Sequence, residues 1–580
     1  MDKDNLAEIG ERKKNWEEVT LQKTLGRYRL QQSPTRFYTP LDTKDHDFLE
    51  KVGFPGEYPY TAGTYPSTVY PLMRLRARGQ ADAVDVRRAG SYSGYGTAED
   101  SRDFYRAMQG RGWTGGPNIA FDLPTQCGYD SDEPMAVGEV GRVGVAVDTL
   151  RDFEVIYEAF TGDRDLDKTA SNFTINAPAN IYLAMYFVLA EKRGIPIEKL
   201  AGTPQNDILK EIVARGTYIF PIKPSMRMTR DSIVFCAEHA PQLNPVSISG
   251  YHMREAGASA AQSLAFTMAN AIAYFQLGID AGLDVDKFAR QMTFLTLGGS
   301  MDFYTEIAVR RAERRVWAKI MKERFGAKNP SSWIQRQPGV LFLASTTTAQ
   351  RPLNNLTRAV VGAMASAMAG YAPAVSPPYD EPLGLGWSLE AQQLSEDAMR
   401  VLICEAGMTD VIDPFAGSYF MESLTDKVEA EAWDIINKID ELGGAVPAIE
   451  SGFYHREIAR SAYDFQRGVE TGERVIVGVN AFLGENELEV ETSRLVAHPY
   501  DPKKRDEAEQ RQLDNLAKVK KERDNEAVKA SLERLKEAAK DESVNLIPPL
   551  MECVRLYASE GEMVNALKEV FGEYESYGSL

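Results

Sequence analysis

Between Ala120 and Ser376, short apolar runs alternate with longer stretches in which apolar residues recur every three or four positions. The runs read NIAFDLP, NFTINAP, LAGTPQND, PVSISGYH, MTFLTLGG and GVLFLAST. Each has the length of a strand buried on both faces. Between them stand segments of helical period such as NIYLAMYFVLAEKRG, AAQSLAFTMANAIAYFQLG and YTEIAVRRAERRVWAKIMKERFG. Strand then helix, repeated, predicts a parallel α/β fold. The number of units suffices to close a (β/α)8 TIM barrel with an N-terminal arm and a C-terminal helical extension. A doubly wound sheet would announce itself with G-x-G-x-x-G after its first strand, whereas here GWTGGPN precedes NIAFDLP.

Polar residues gather where such runs end: Asp122, Asn176, Gln205, Asn206, Asp207, Tyr251 and His252. A barrel carries its chemistry at that face. The same residue types also cap the helices that follow. The pattern divides the chain into an arm (1–50), the barrel (51–390), a helical region (391–500) and a charged helical extension (501–580). In the extension, Leu513, Leu516 and Val519 fall at helical spacing, which predicts a solvated helix packed along one stripe.

Composition narrows the function. The 580 residues carry a formal net charge of -18, and no long basic run precedes the C-terminal helices, so a nucleic-acid partner is not expected. No apolar run is long enough to span a bilayer, and the charged N-terminus lacks the apolar core of a signal peptide; a cytoplasmic protein with no membrane partner is expected. Cys127, Cys236, Cys404 and Cys553 are scattered without a C-x-x-C pair, so neither zinc nor a disulfide framework is expected.

FPGEYPYTAGTYP, AFDLPTQCGYDSD, GTPQNDILKE, SISGYHMREAG and GERVIVGVN occur in order, and together the set resembles the methylmalonyl-CoA mutase family, a resemblance that runs from about Tyr38 to Asn480. The resemblance implies an isomerase: a barrel around an acyl-CoA, adenosylcobalamin at its carboxyl-terminal mouth, and a radical 1,2-shift of the thioester carbonyl group. It implies catalytic roles for His252, on the thioester carbonyl, and Tyr92, against the adenosyl group. Arg215 matches the family arginine that pairs a free carboxylate, a task suited to a planar guanidinium. Gln205, Tyr65, Ser67 and Thr68 match other substrate-binding positions, and Leu341 stands at a further one. Ala120, Phe121, Gly94 and Glu381 match cofactor-binding positions, and no metal ligand is implied in this chain.

The departures bear on substrate and partner. The family's polar residues before T-A-Q become Gly339, Val340, Leu341 and Phe342, and a second polar segment becomes YAPAVSPPYDE, with Pro373, Val375, Pro377 and Pro378. The segment between Tyr70 and Tyr92 is lengthened, and Gln291 stands at a family arginine. With Arg215 and Tyr92 kept, these changes lead to the expectation of a substituted succinyl-CoA and its malonyl-CoA isomer, branched beyond methyl. Methylmalonyl-CoA itself, an isobutyryl- or 2-hydroxyisobutyryl-CoA type substrate, and a non-catalytic scaffold remain alternatives. None of the five histidines sits in the family's D-x-H-x-x-G. A small cobalamin-binding subunit carrying that motif is therefore expected as partner, in an α2β2 assembly.

Overall fold

The computed structural model describes residues 3–29, 36–66, 92–94, 96–110, 115–296, 300–337, 344–371, 373, 375, 377–383, 389–484 and 502–575. Six short strands are described: β1 (Tyr92–Ser93), β2 (Asn118–Ala120), β3 (Ser171–Thr174), β4 (Gly202–Pro204), β5 (Val246–Ser249) and β6 (Met292–Leu295). All pairings are parallel and follow chain order: Tyr92 faces Asn118, Ile119 faces Phe173, Ser171 faces Gly202, and Val246 faces Met292. The ladder continues from β4 to β5, where Asn244 N donates to Gly202 O and Ser247 N to Gln205 O, each at 2.9 Å. Beyond β6, Phe294 N donates to Arg336 O at 2.8 Å. Helices separate most of the strands, so the fold is mixed α/β with mostly helical content. Among the described residues no helix is long and apolar enough to cross a membrane.

Two glycines let the strand ends close up. A Cβ on Gly94 would collide with the Ala120 carbonyl, and one on Gly202 with the Ser171 carbonyl. Only glycine permits such backbone approach.

The Ala179–Lys192 helix shows why the extension belongs to the same core. All twelve residues from Ala179 to Ala190 are buried, as expected of a helix apolar on every side. One side packs toward the sheet through Tyr182 and Tyr186, whose rings meet Phe121 and Phe173. The other packs against the C-terminal helix Ile547–Arg555. Leu550, Val554, Met563 and Leu567 join the main apolar core, each contributing roughly 1.5–3 kcal/mol through burial.

The extension also docks through polar groups. In the Pro502–Glu522 helix the buried positions are Ala508, Gln512 and Leu516, while Leu513 and Val519 are only half-buried. The spacing was helical, but the buried stripe is rotated because Gln512 is drawn inward, donating to Asp148 Oδ2 at 2.6 Å and Asp152 Oδ1 at 3.2 Å. Lys520 reaches Asp130 at 3.0 Å. Asp130 also accepts from Ser559 Oγ (2.6 Å) and Gly561 N (2.7 Å). The Tyr182 hydroxyl lies 2.8 Å from Val147 O and 2.6 Å from Glu560 Oε2.

A second buried charged element is the Phe303–Lys319 helix, where Arg310, Arg311, Arg314 and Arg315 are all buried. Arg311 pairs Asp413 (2.9 Å) and Glu422 (2.7 Å). Arg314 instead donates to three carbonyls: Tyr60 O (2.9 Å), Thr61 O (2.6 Å) and Ala369 O (2.8 Å). It thereby fastens the FPGEYPYTAGTYP segment to the fold.

Candidate functional site

The site forms where β3, β4 and β5 end. Asn206, just past β4, has φ of 50°. Asn tolerates this left-handed conformation because its short side chain bonds locally. Here it donates to Ser232 Oγ (2.8 Å) and Pro245 O (2.9 Å). The sharp turn leaves Gln205 at the strand end and starts a new helix at Asp207, whose carboxylate accepts from Lys210 N at 3.4 Å. Asp207 is further held by Tyr274 Oη and Ser249 N, each at 2.6 Å. Burial raises its pKa to about 6, against the pull of Lys210.

Residues Glu211–Arg215 then wind as one π-helical turn, a form often found at functional sites. Glu211 and Arg215 share a face, and Arg215 Nη1 donates to Glu211 Oε1 at 3.2 Å. The same oxygen accepts from Asn176 Nδ2 at 2.7 Å and from Lys210 Nζ. Glu211 Oε2 takes the Thr217 hydroxyl and its backbone N–H. Burial opposes the Glu211 charge, but Lys210, Arg215 and Thr217 outweigh it and hold the carboxyl below its usual range. Burial lowers Lys210 to about 8 despite Glu211 beside it.

His252 lies on the short Tyr251–Glu255 helix directly after β5, packed against the Glu211–Arg215 turn. Its ring is buried and stacks near Tyr251 at 3.7 Å between centroids. Burial, then the charges of Lys210 and Arg215, push its pKa well below the ordinary value, so the ring is neutral at neutral pH. Among the described residues its Nδ1 has no hydrogen-bond partner. A buried ring nitrogen within the field of the Lys210 and Arg215 charges is ready for a polar ligand atom.

The sequence expectations distribute as follows. Gln205, Arg215 and His252 come together. Tyr92 lies in β1 beside Asn118 of β2, and Gly94 follows against Ala120. Phe121 turns its ring inward, fully buried against Phe153 and Tyr182, and its carbonyl is taken by Gln126 at 2.7 Å. Ala120 is buried at the end of β2. Glu381 opens a short 3-10 turn; Asn355 fastens the preceding Tyr379 carbonyl at 3.0 Å, and burial with Asp380 raises the Glu381 pKa. Tyr65 is exposed. Ser67, Thr68 and Leu341 fall outside the described residues.

Two strand-end residues, and Gln291 just before β6, have structural tasks. Asp122 caps Leu123–Gln126 and binds Gly141 N at 2.6 Å. Asp207 is a cap as well. Gln291 ties Cys236 O, Ala240 O and Leu243 O together at 3.0–3.2 Å. The functional-site members that sequence reasoning passed over are Lys210 and Glu211. Their signal was an adjacent charged pair, LKE, inside an otherwise apolar segment four residues before the arginine.

Residues 29–573 match the family description Methylmalonyl-CoA mutase. The chain is 39% identical to the 2-hydroxyisobutanoyl-CoA mutase large subunit of Aquincola tertiaricarbonis, over 95% of this chain and 92% of that protein. It is 37% identical to the mitochondrial methylmalonyl-CoA mutase of Homo sapiens, over 93% of this chain and 68% of that one. The methylmalonyl-CoA mutase of Escherichia coli is also 37% identical, over 92% and 71%. The ordered motifs, the parallel strands with Gln205, Arg215 and His252 at their ends, and a match spanning nearly the whole chain place this protein in the methylmalonyl-CoA mutase family.

Proposed function

We propose that this chain is the substrate-binding catalytic subunit of an adenosylcobalamin-dependent acyl-CoA mutase, an isomerase acting on a carboxylated acyl-CoA. The observation that carries the reading is the convergence of Arg215, Gln205 and the neutral His252 on one strand-end surface. A closed (β/α)8 barrel around the thioester is part of the proposal. Arg215, steadied by Glu211, pairs the substrate carboxylate. His252, neutral and buried, donates one ring N–H to the thioester carbonyl and holds the migrating group without giving up its proton. Tyr92 stands in β1, one strand beyond β2 in the same sheet, and burial around the network excludes water.

The residues after β2 suit a flat, largely apolar cofactor face: Leu123, Met135, Val137 and Val143 are exposed apolar side chains. With Gly94, Ala120, the Phe121 backbone and Glu381 they are proposed to hold adenosylcobalamin, which when bound supplies the hydrogen-abstracting radical chemistry. We propose that a small subunit carrying D-x-H-x-x-G brings the cobalamin, in an α2β2 assembly. The relative named as a large subunit, of which the chain spans 92%, supports this.

Substrate choice is the finer proposal. Arg215 favours a succinyl-CoA and malonyl-CoA pair over an uncharged acyl group, and the apolar replacements favour a branch larger than methyl. Of the replacing residues, Val375 packs with Ala359, Ala363 and Leu402 in a satellite cluster. Leu341 and its neighbours therefore carry the size argument. The test is turnover of succinyl-CoA esters of increasing branch size, competed against methylmalonyl-CoA and 2-hydroxyisobutyryl-CoA, with adenosylcobalamin, with and without the small subunit. Turnover that needs the subunit and peaks on a branched, carboxylated ester is expected. Highest kcat/KM for 2-hydroxyisobutyryl-CoA would overturn the carboxylate reading, and highest for methylmalonyl-CoA the enlarged branch.

A further inference from the structure

We infer that Lys210 is a positioning residue: its buried ammonium turns the Gln205 amide so that this side chain meets the ligand as a hydrogen-bond donor. The inference rests on the acyl-CoA reading above and deepens it. An ammonium has three N–H donors and no acceptor. Lys210 Nζ lies 2.8 Å from the Gln205 side-chain atom facing it, which must therefore be the oxygen Oε1. A second, independent constraint gives the same orientation. The backbone N–H of Asp207 donates to Asn176 Oδ1 at 3.0 Å, which fixes that amide. Its Nδ2 then faces the other way and donates to Gln205 Oε1 at 2.9 Å and to Glu211 Oε1 at 2.7 Å.

Two donors thus converge on the Gln205 oxygen, and both N–H groups of Nε2 point elsewhere. Among the described residues Nε2 donates to none, although Gln205 is only 7% exposed. The surface shared with Arg215 and His252 therefore offers donors. That polarity matches a ligand rich in acceptors, namely a carboxylate and a thioester carbonyl. Without Lys210, only Asn176 would hold the amide, and its alternative orientation would set an oxygen against a ligand oxygen. Glu211 keeps Lys210 in place and Arg215 on the same face, so one buried carboxylate aligns both ligand-facing donors.

A plain structural ion pair between Lys210 and Glu211 makes a different forecast, and a double-mutant cycle separates the two. Succinyl-CoA binding to the full chain is measured by calorimetry for wild type, Lys210→Met, Gln205→Met and the double variant. Each single change should weaken binding roughly ten- to a hundredfold. The double variant should bind no more weakly than Gln205→Met alone, because Lys210 acts through Gln205. Lys210→Arg, which keeps the donors, should restore most of the affinity. Gln205→Glu tests the polarity directly and does not depend on a Lys210 variant folding. A carboxylate presents only acceptors, so it should bind more weakly than Gln205→Met. Penalties that multiply, or Gln205→Glu binding as wild type does, would overturn the role of Lys210 while leaving the acyl-CoA reading intact. A wild-type chain that fails to bind succinyl-CoA would overturn both.

Discussion

Around Glu211, two cations (Lys210 and Arg215) meet two carboxylates (Glu211 and Asp207). Around Glu560, four carboxyl groups (Asp130, Asp148, Asp152 and Glu560) meet one ammonium, Lys520. Both regions are buried, so both must dispose of charge, and they do so differently. The site balances charge with countercharge. The seam beneath the C-terminal helices relies in part on protons, because burial pushes Glu560 and Asp148 well above the usual carboxylate range. Tyr182 has one hydroxyl hydrogen and two oxygen neighbours, Val147 O and Glu560 Oε2. A carbonyl can only accept, so if Tyr182 donates to Val147, Glu560 must carry a proton and donate to Tyr182. Burial raises the Glu560 pKa well above the ordinary range; the Tyr182 contact opposes this, and Asp130, Asp148 and Asp122 add to the rise. Burial likewise raises Asp148, with Asp130 and Asp152 adding to it, and raises Asp152 to about 6. A network matched by countercharge presents its cations to an anion, whereas a seam that relies on protons ties docking to pH.

The largest expected break in this comparison is Arg215→Ala. It removes the cation meant for the ligand but leaves Glu211 paired with Lys210. Loss of about 3–5 kcal/mol of transition-state binding, or roughly 150- to 5,000-fold in kcat/KM, should appear in assays with the small subunit, while the thermal midpoint hardly moves. Glu211→Gln attacks the balance itself. It leaves Lys210 and Arg215 facing each other and should cost about 3 kcal/mol of stability in urea unfolding. A variant as stable as wild type would show that Asp207 suffices as countercharge.

The seam answers to pH. Glu560 has a folded-state pKa above its unfolded value of about 4.3. Its contribution is therefore complete below the unfolded value and is lost as pH rises through the folded one. Stability should fall on the alkaline side, and Glu560→Gln, which mimics the neutral acid, should flatten that limb by about 1–3 kcal/mol. Unfolding curves at several pH values measure both. Lys520→Met is the smallest change: with Lys520 partly solvent-facing, about 1 kcal/mol at neutral pH is expected, shrinking as acid protonates Asp130.

Much of this organisation is legible in the sequence, where periodicity sees apolar faces. The runs at NIA, NFT, GTP, VSIS and MTFL are strands, and the long helices fall where their period placed them. The strand-end polar residues were visible too, but not their division of labour. Asp122 and Asp207 cap helices, while Gln205 and His252 belong to the proposed site, and only three-dimensional neighbours separate these roles. The extension looked solvated because buried polar residues are invisible to hydrophobic period: Gln512 and Glu560 read as surface residues until Asp148 and Tyr182 are placed opposite them. Phe121, matched to a cofactor-facing segment, has a ring that the aromatic core claims.

Arg314 fixes an order of events during synthesis. It clasps the carbonyls of Tyr60 and Thr61 from more than 250 positions downstream. At roughly 5–20 residues per second, translation leaves the Phe54–Pro66 segment without its clasp for roughly 10–50 s. A nascent chain stalled before residue 314 should therefore be nicked by added protease within that segment. A chain stalled far enough downstream for Arg314 to have left the ribosome should not.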